Sequence, residues 1–278
     1  MTFRRPLLPA DRSGNWQHRR DATREGRPVE RIWIFGAGHF GRRALQELAR
    51  RRGSAGFLLI DQDTSRLRRV EKAVAADTGN RVTFRTGTAA QVLTEGLEHS
   101  DDPDWIVPAV PLHLAAAWYL TQMGSEYARR ISVPREVEEL VPGALRLPPP
   151  SADLYTSIAQ TRCPEDCPEP ASHCPNSGEP RPYSLFSHLA ELQIPGFTTV
   201  VIRSHQLAPG VGGYRPSALR TAGEQMKSVE RKRVEGTGRS ESGRSESGRS
   251  KSERRVLLCT ACRCHGVITA AQRVQARE

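Results

Sequence analysis

The 278-residue sequence has no apolar run long enough to cross a lipid bilayer. Its longest apolar stretch, from Trp105 to Leu120, is interrupted by Pro108, Pro111 and His113. Residues 1–28 carry many arginines but no continuous apolar segment, so they lack the pattern of a secretory signal. We therefore expect a cytoplasmic protein.

Hydrophobic residues are also scarce, because they make up only 37% of the chain, which is low for a compact protein of this size. The deficit is concentrated in residues 1–28 and 236–254, and the second segment repeats Gly-Arg-Ser-Glu-Ser. Neither segment can bury enough apolar surface to offset the entropy of ordering. Both are predicted to be disordered, the first as a basic tail and the second as an insertion.

Lysine is nearly absent, so the net charge of +10 is carried almost entirely by arginine. The arginines are scattered over the tails and over the exposed faces of predicted helices. No nucleic-acid recognition motif accompanies them. We interpret the charge as that of a solvated surface and predict no nucleic-acid partner.

A glycine pattern near the N-terminus is the most specific feature of the sequence. The apolar run Ile32–Phe35 ends in Gly36-x-Gly38-x-x-Gly41, and a helical pattern follows at once. A second apolar run then ends in Asp61, twenty residues after Gly41. A strand, a glycine turn, a helix, a second strand and an acid in this order form the fingerprint of a dinucleotide site.

Each part of this fingerprint has a physical role. Gly36 permits a tight turn, Gly38 leaves room for a pyrophosphate, and Gly41 lets the helix approach the strand. Asp61 can accept hydrogen bonds from ribose hydroxyls and would repel a 2′-phosphate, which favours NAD over NADP. The candidate cofactor-binding residues are Gly36, Gly38, His39, Phe40, Gly41 and Asp61.

The order of the predicted elements favours an α/β fold. Strands are predicted near residues 31–36, 56–61, 81–85, 104–108 and 130–134, with helices between them. We predict a Rossmann-like, doubly wound, mostly parallel sheet over residues 29–145. A smaller, cysteine-rich α/β region over residues 146–278 should follow, with a helix at 184–192, a strand at 198–203, a glycine-rich loop at 207–214, a helix at 216–233 and a strand at 256–260.

The segments Ile32–Leu45 and Phe57–Asp63 resemble the NAD-binding domain of Trk-type potassium-uptake regulatory subunits, the TrkA-N or RCK domain. The resemblance covers about residues 30–130. It implies that Gly36, Gly38 and Gly41 line the pyrophosphate and that Asp61 holds the adenosine ribose. It also implies a nucleotide-sensing regulator of potassium transport whose partner is a membrane transporter subunit. We expect a homo-oligomer.

Cysteine is absent before residue 163, and the six cysteines form two clusters in the C-terminal half. The clusters are Cys163, Cys167 and Cys174, each followed by proline, and Cys259, Cys262 and Cys264. Thiolates at such spacings can converge on one metal ion or iron–sulfur cluster, whereas disulfides are disfavoured in the cytosol. The clusters predict a metal centre, with zinc and iron–sulfur both open.

The candidate metal ligands are Cys163, Cys167, Cys174, Cys262 and Cys264. His173 and His265 could add imidazole ligands. Cys259 follows the apolar run Val256–Leu258 and is predicted to be a small buried residue inside a strand.

Two histidines are candidate catalytic residues. His113 lies where the fourth strand ends, near the expected nicotinamide position, and could act as a general acid or base. His205 follows the strand predicted at 198–203 and could contact a small-molecule substrate together with Tyr214. Two functions remain open at this point: a nucleotide-sensing regulator, or an NAD-dependent oxidoreductase with a zinc or iron–sulfur centre.

Overall fold

The computed structural model describes residues 29–74, 80–97, 102–147, 152–228 and 255–274. The two segments predicted to be disordered, residues 1–28 and 236–254, lie outside these ranges. The described residues form two main β-sheets, a short hairpin, and helices that lie between and around them. No helix among them is both long enough and apolar enough to span a bilayer.

The N-terminal unit is a parallel sheet of four strands in the order β3-β2-β1-β4. Its strands are β1 (Glu30–Phe35), β2 (Ala55–Asp61), β3 (Arg81–Thr86) and β4 (Trp105–Pro108). The connecting helices are α1 (His39–Arg52), α2 (Thr64–Val74) and α3 (Ala89–Gly96). Parallel pairing brings the carboxyl ends of the strands to one edge, so the glycine pattern and Asp61 lie side by side.

Both faces of this sheet are buried, which explains the continuous apolar runs of β1 and β2. Ile32 and Ile34 pack with α1 and α2 on one face. Trp33 and Phe35 pack with α3 on the opposite face. The predicted α/β class, with a parallel sheet covered by helices on both faces, is confirmed.

The rest of the chain adds four helices and eight strands to the described structure. The helices are α4 (Leu114–Met123), α5 (Arg135–Leu140), α6 (Leu185–Ala190) and α7 (Pro216–Ser228). The strands are β5 (Ala128–Ile131), β6 (Leu145–Arg146), β7 (Leu154–Ser157), β8 (Phe197–Arg203), β9 (His205–Ala208), β10 (Val211–Gly213), β11 (Arg255–Ala261) and β12 (His265–Arg273).

Six of these strands form a mixed sheet in the order β6-β7-β12-β11-β8, and β5 pairs with the second half of β12. Only β8 and β11 are parallel neighbours in it. This second sheet has more strands than the first, and one of them, β5, comes from the region that was assigned to the N-terminal domain.

The fifth strand predicted near residues 130–134 does not extend the parallel sheet. It forms as β5 and pairs antiparallel with β12 in the second sheet. The free edge of β4 is instead covered by the end of the β9–β10 hairpin, where Ile106 and Tyr214 exchange backbone hydrogen bonds of 2.9 and 3.0 Å. The glycine-rich loop predicted at 207–214 therefore corresponds largely to this hairpin. Gly213 lets the hairpin lie close to the carbonyl oxygen of Ile106, since a Cβ at this position would be only 2.9 Å from that atom.

Helices α4 and α7 lie between the two sheets and join them into one core. A single buried cluster contains Phe35 of the first sheet, Trp118 of α4, Leu219 of α7 and Ile202 of the second sheet. On its far side the second sheet packs against α5 and α6. The two sheets therefore share apolar surface, and their loops meet at defined positions.

Candidate functional site

The glycine turn, residues 36–41, has the geometry that its sequence predicts. Gly36 has a φ of +106°, a region that residues with a Cβ rarely adopt. A Cβ at this position would lie 2.4 Å from the carbonyl oxygen of Ala109, which follows β4. The Gly36 amide donates to the carbonyl oxygen of Ile60 at 2.7 Å, which ties the turn to β2.

The other two glycines have opposite surroundings. A Cβ on Gly41 would lie only 1.7 Å from the carbonyl oxygen of Gly36, so this position has no space for a side chain. A Cβ on Gly38 would meet no atom of the described residues within 4 Å. Gly38 is the N-cap of α1, so the open space lies at the positive end of the helix dipole, where an anion is stabilised.

Asp61 ends β2 beside this opening and is only 8% exposed. Its Oδ2 accepts a hydrogen bond from the Ala37 amide at 2.7 Å, and its Oδ1 accepts one from the Asp63 amide at 2.8 Å. Two carboxylate oxygens offer about four acceptor positions, so capacity for two ribose hydroxyls remains. The open Gly38 and the acid beside it fit a dinucleotide.

His39 and Phe40 project from the first turn of α1, and Phe40 is 61% exposed. The His39 Nε2 lies 2.9 Å from Glu165 Oε2. Glu165 stands between Cys163 and Cys167 in the segment of residues 158–184, which we call the cysteine loop. The structure thus brings this loop to the glycine turn, a contact that sequence reasoning missed.

The cysteine loop is also anchored to the β9–β10 hairpin. The carbonyl oxygen of Cys167 accepts hydrogen bonds from the Gly210 amide at 3.0 Å and from Gln206 Nε2 at 2.6 Å. Gly210 has a φ of +70°, and a Cβ there would overlap the Glu165 carbonyl at 1.5 Å. This close approach holds Glu165 within reach of the glycine turn.

Four of the five candidate metal ligands influence one another. Burial, followed by the negative charges of Cys167 and Cys174, raises the pKa of Cys163 above its ordinary value. Burial raises the pKa of Cys264 to about 11, and the charges of Glu169, Cys163 and Cys167 act in the same direction against Arg181. A bound cation would lower these pKa values, because its positive charge favours the thiolate form of each cysteine.

Cys262 has different neighbours. Burial is the main cause that raises the pKa of Cys262 to about 12, and the negative charge of Glu169 is the second cause. The Cys262 Sγ lies 4.0 Å from His265 Nδ1. Cys259 is fully buried inside β11, as its apolar context predicts. All six cysteines are free thiols.

The metal centre itself stays a prediction. Among the described residues, no three histidine, cysteine, aspartate or glutamate side chains are arranged to hold a metal ion. His173, one of the two possible imidazole ligands, has another contact, because its Nδ1 lies 2.9 Å from the Ser172 hydroxyl. The thiol side chains as placed therefore do not fit a metal.

His113 is only 2% exposed. Its Nδ1 and Nε2 lie 2.8 Å from the hydroxyls of Thr269 and Thr260, respectively. Burial lowers the pKa of His113 to about 4, so the imidazole is neutral at pH 7. An imidazole with both nitrogens occupied inside the core has a structural environment, and the predicted acid–base role gains no support from it.

His205 is more accessible than His113. Its ring packs edge-on against Trp105, with 5.7 Å between centroids, and it lines a cavity of about 250 Å³ with Arg203 and Arg263. Tyr214, the predicted companion of His205, is fully buried and lies outside that lining. A second cavity, of about 410 Å³, is lined by Cys264 and by residues of the cysteine loop that include Cys174.

A family model described as AF_1314_C, "Uncharacterized protein, C-terminal domain", matches residues 113–274, more than half of the chain. The chain belongs to this family. The matched region begins just before α4 and includes the second sheet and the cysteine loop, but not the glycine turn. None of the curated proteins compared with the chain matches it.

Proposed function

We propose that the protein binds NAD(H) at the glycine turn and acts as a nucleotide-sensing regulator. The observation that carries the proposal is the pairing of an open Gly38 at the start of α1 with Asp61 at the end of the neighbouring strand. This arrangement is typical of a Rossmann-like dinucleotide domain. The four parallel strands with helices on both faces are consistent with that fold.

The chain's own groups have separate roles in this proposal. The free amides in the first turn of α1 would bind the pyrophosphate, and Gly38 would let the backbone approach it. Asp61 would accept hydrogen bonds from the adenosine ribose. Because its carboxylate is negative, it would repel the 2′-phosphate of NADP(H). His39 and Phe40 would flank the bound phosphates from the same turn.

The contact between His39 and Glu165 supports a sensing role. A nucleotide on the glycine turn would lie beside His39, so binding would alter the contact that joins this turn to the cysteine loop. The cysteine loop would then report occupancy to a partner through a change in its position. The identity of that partner as a potassium-transport subunit depends on the TrkA-N resemblance of residues 30–130 alone.

Asp61→Asn tests the nucleotide site. The amide replaces an acceptor oxygen by a donor, so either a backbone amide or a ribose hydroxyl loses its partner. We expect NADH affinity, measured by fluorescence titration, to fall at least about tenfold, which is about 1.4 kcal/mol. The preference of the wild-type protein for NADH over NADPH should shrink, because the repulsive charge is gone.

Asp63→Asn is the matched control, since it removes a carboxylate two residues away that caps the start of α2. It should leave NADH affinity unchanged. NADH should also slow alkylation of the cysteine-loop thiols in the wild-type protein, but not in Asp61→Asn. An absence of NADH and NAD binding to the wild-type protein would refute the nucleotide site, and unchanged alkylation would refute the sensing role.

An NAD-dependent oxidoreductase with a zinc or iron–sulfur centre is the second candidate function. It is favoured by the position of the cysteine loop beside the glycine turn. Bound NAD(H) would supply a hydride donor or acceptor, and the thiols of the cysteine loop would be the residues to hold a centre beside it. Cys163, Cys167, Cys174 and Cys264 would need to change side-chain conformation to hold such a centre.

Metal analysis of protein purified without oxygen distinguishes the two candidates. If a centre forms, replacing Cys163 and Cys264 together by serine should lower the content from about one metal site per chain to about none. Cys259→Ala is the control and should retain the metal, since Cys259 is buried inside β11 and is not a candidate ligand. Iron with sulfide would favour the oxidoreductase, zinc would favour the regulator, and a metal-free wild-type protein would refute the centre.

A further inference from the structure

The cavity of about 250 Å³ lies outside the glycine turn, at the edge where the parallel strands β8 and β11 end. Arg203 is the last residue of β8, and Arg263 lies in the turn that follows β11. The Ser204 amide donates to the Ala261 carbonyl oxygen at 2.8 Å, so the two strand ends are held together. Ligands of α/β folds bind at the carboxyl ends of parallel strands.

Two arginines give the cavity a positive lining. The Arg203 guanidinium carbon lies 4.4 Å from the centre of the Phe186 ring, which holds this side chain in place. Arg263 Nη1 lies 3.3 Å from the Ser184 hydroxyl, which carries no charge. Among the ion pairs of the described residues, neither guanidinium has a carboxylate partner.

The pKa of His205 reflects burial and then the positive charges of the neighbouring arginines, which the charge of Glu169 partly opposes. Burial lowers the pKa of its imidazole, and the positive charges of Arg203 and Arg215 lower it further. The His205 ring is therefore a neutral hydrogen-bonding group in the wall of the cavity. The charge that a ligand would meet here comes from the two arginines and from one acid, Glu169.

Glu169 has the only positive φ, +50°, among the described residues other than glycine. Such strain persists where the surrounding structure enforces it, and it is frequent at functional sites. Here Glu169 Oε1 accepts a hydrogen bond from the Arg263 amide at 2.6 Å. A carboxylate has about four acceptor positions, so further positions remain for a ligand.

We propose that this cavity binds a small organic acid that carries a hydroxyl or amino group next to its carboxylate. Arg203 and Arg263 bind the carboxylate, and Glu169 accepts a hydrogen bond from the neighbouring donor group. Ser204 and Gln206 supply further polar contacts along the wall. The volume corresponds to about eight water molecules at ~30 Å³ each, so the ligand has roughly eight non-hydrogen atoms.

This site is separate from the nucleotide site and does not depend on it. It does contact the cysteine-bearing turn, because Arg263 lies between Cys262 and Cys264, and Glu169 belongs to the cysteine loop. A ligand bound by both residues therefore holds the loop against the β11–β12 turn. Ligand binding is expected to protect Cys262 from alkylation, since Cys262 directly precedes Arg263 in the β11–β12 turn.

The test is calorimetric titration of the full chain with L-lactate, L-serine, acetate and inorganic phosphate. We expect lactate or serine to bind more tightly than acetate, which lacks the donor group. Arg203→Gln should weaken that binding at least about tenfold, and Arg263→Gln should do the same. Glu169→Gln should reduce the preference for lactate or serine over acetate.

Arg215→Gln is the matched control, because Arg215 also stacks on an aromatic ring, with its guanidinium carbon 3.9 Å from the centre of Trp105, but does not line the cavity. The Arg215→Gln variant should bind the probes with the same affinity as the wild-type protein. Arg203 is exposed, so its replacement should preserve the fold, which circular dichroism verifies. No binding of any probe at tens of millimolar, binding of phosphate alone, or equal binding by Arg203→Gln would each overturn the proposal.

Discussion

Gly41→Ala is expected to destabilise the protein strongly. The added methyl group would lie 1.7 Å from the carbonyl oxygen of Gly36, and the neighbouring atoms belong to backbone that cannot rotate away. Helix α1 would have to move off β1, on which Leu45 and Leu48 pack with Ile32 and Ile34. We expect a loss of about 3 kcal/mol or more in the free energy of unfolding, measured by urea denaturation.

Gly38→Ala is the matched control for this prediction. The same methyl group at Gly38 meets no atom within 4 Å in the part of the chain that the structure describes, and the Gly38 φ of −74° suits any residue. Its effect on stability should be about 1 kcal/mol, since replacing a favourable N-cap residue by alanine costs about 0.5–2 kcal/mol. NADH affinity should nevertheless fall, because the methyl group occupies the proposed path of the pyrophosphate.

The two variants thus separate folding from binding. Equal stability of Gly41→Ala and the wild-type protein would show that α1 does not approach β1 as closely as described. An unchanged NADH affinity of a folded Gly38→Ala variant would place the nucleotide elsewhere. The pair is informative because both substitutions add one methyl group within the same six-residue turn.

Asp153→Ala should have the second large effect. The Asp153 side chain is 4% exposed and accepts hydrogen bonds from Arg130 Nη1, at 2.7 Å, and from the Thr269 hydroxyl. Thr269 in turn contacts His113. Removing the carboxylate leaves a partly buried guanidinium and a buried hydroxyl without this acceptor. We expect the free energy of unfolding to fall by about 3–5 kcal/mol.

Glu95→Ala is the control, since Glu95 pairs with Arg85 at 2.6 Å but its side chain is 60% exposed. Exposed pairs contribute at most about 1 kcal/mol, so urea denaturation should show little change. Asp153→Asn is an informative second variant, because the amide retains an acceptor for Thr269 while losing the charge that faces Arg130. If Asp153→Ala lowers the free energy of unfolding by less than about 1 kcal/mol, the buried hydrogen bonds that join Arg130, Asp153 and Thr269 are not formed as described.

The cysteine loop connects three parts of the molecule. It contacts the glycine turn through Glu165, the β9–β10 hairpin through Cys167, and the β11–β12 turn through Glu169. A change at any one of these contacts can therefore be transmitted to the other two. If the proposed nucleotide and organic-acid sites are occupied, both ligands would contact this one loop, and the alkylation experiments measure the loop directly.

The glycine turn could be predicted from the sequence because its determinants are local. Gly36 and Gly41 contact each other within a single turn, and Asp61 reaches the turn because β1 and β2 are consecutive, parallel and adjacent. The apolar runs of these strands indicate burial on both faces without any knowledge of the partners. The local periodicity of α1 likewise follows from the positions of Ala44, Leu45 and Leu48.

The partners of the later strands could not be predicted in this way. The edge of β4 is covered by Tyr214 rather than by the next strand in sequence, and β5 pairs with β12 near the opposite end of the chain. Strand β12 itself was not predicted. Pairing of this kind depends on which strand edges remain available after the core has packed, and a single sequence does not encode that in a short pattern.

The sequence by itself therefore determined the glycine turn, its acid, the α/β class and the clustering of cysteines along the chain. Only the tertiary structure decided what these groups contact. His39 and Glu165 are 126 residues apart, and His113 lies 147 residues from Thr260. Local motifs report the conformation of their own backbone, whereas contacts between distant side chains exist only once two sheets and their shared helices have packed into one core.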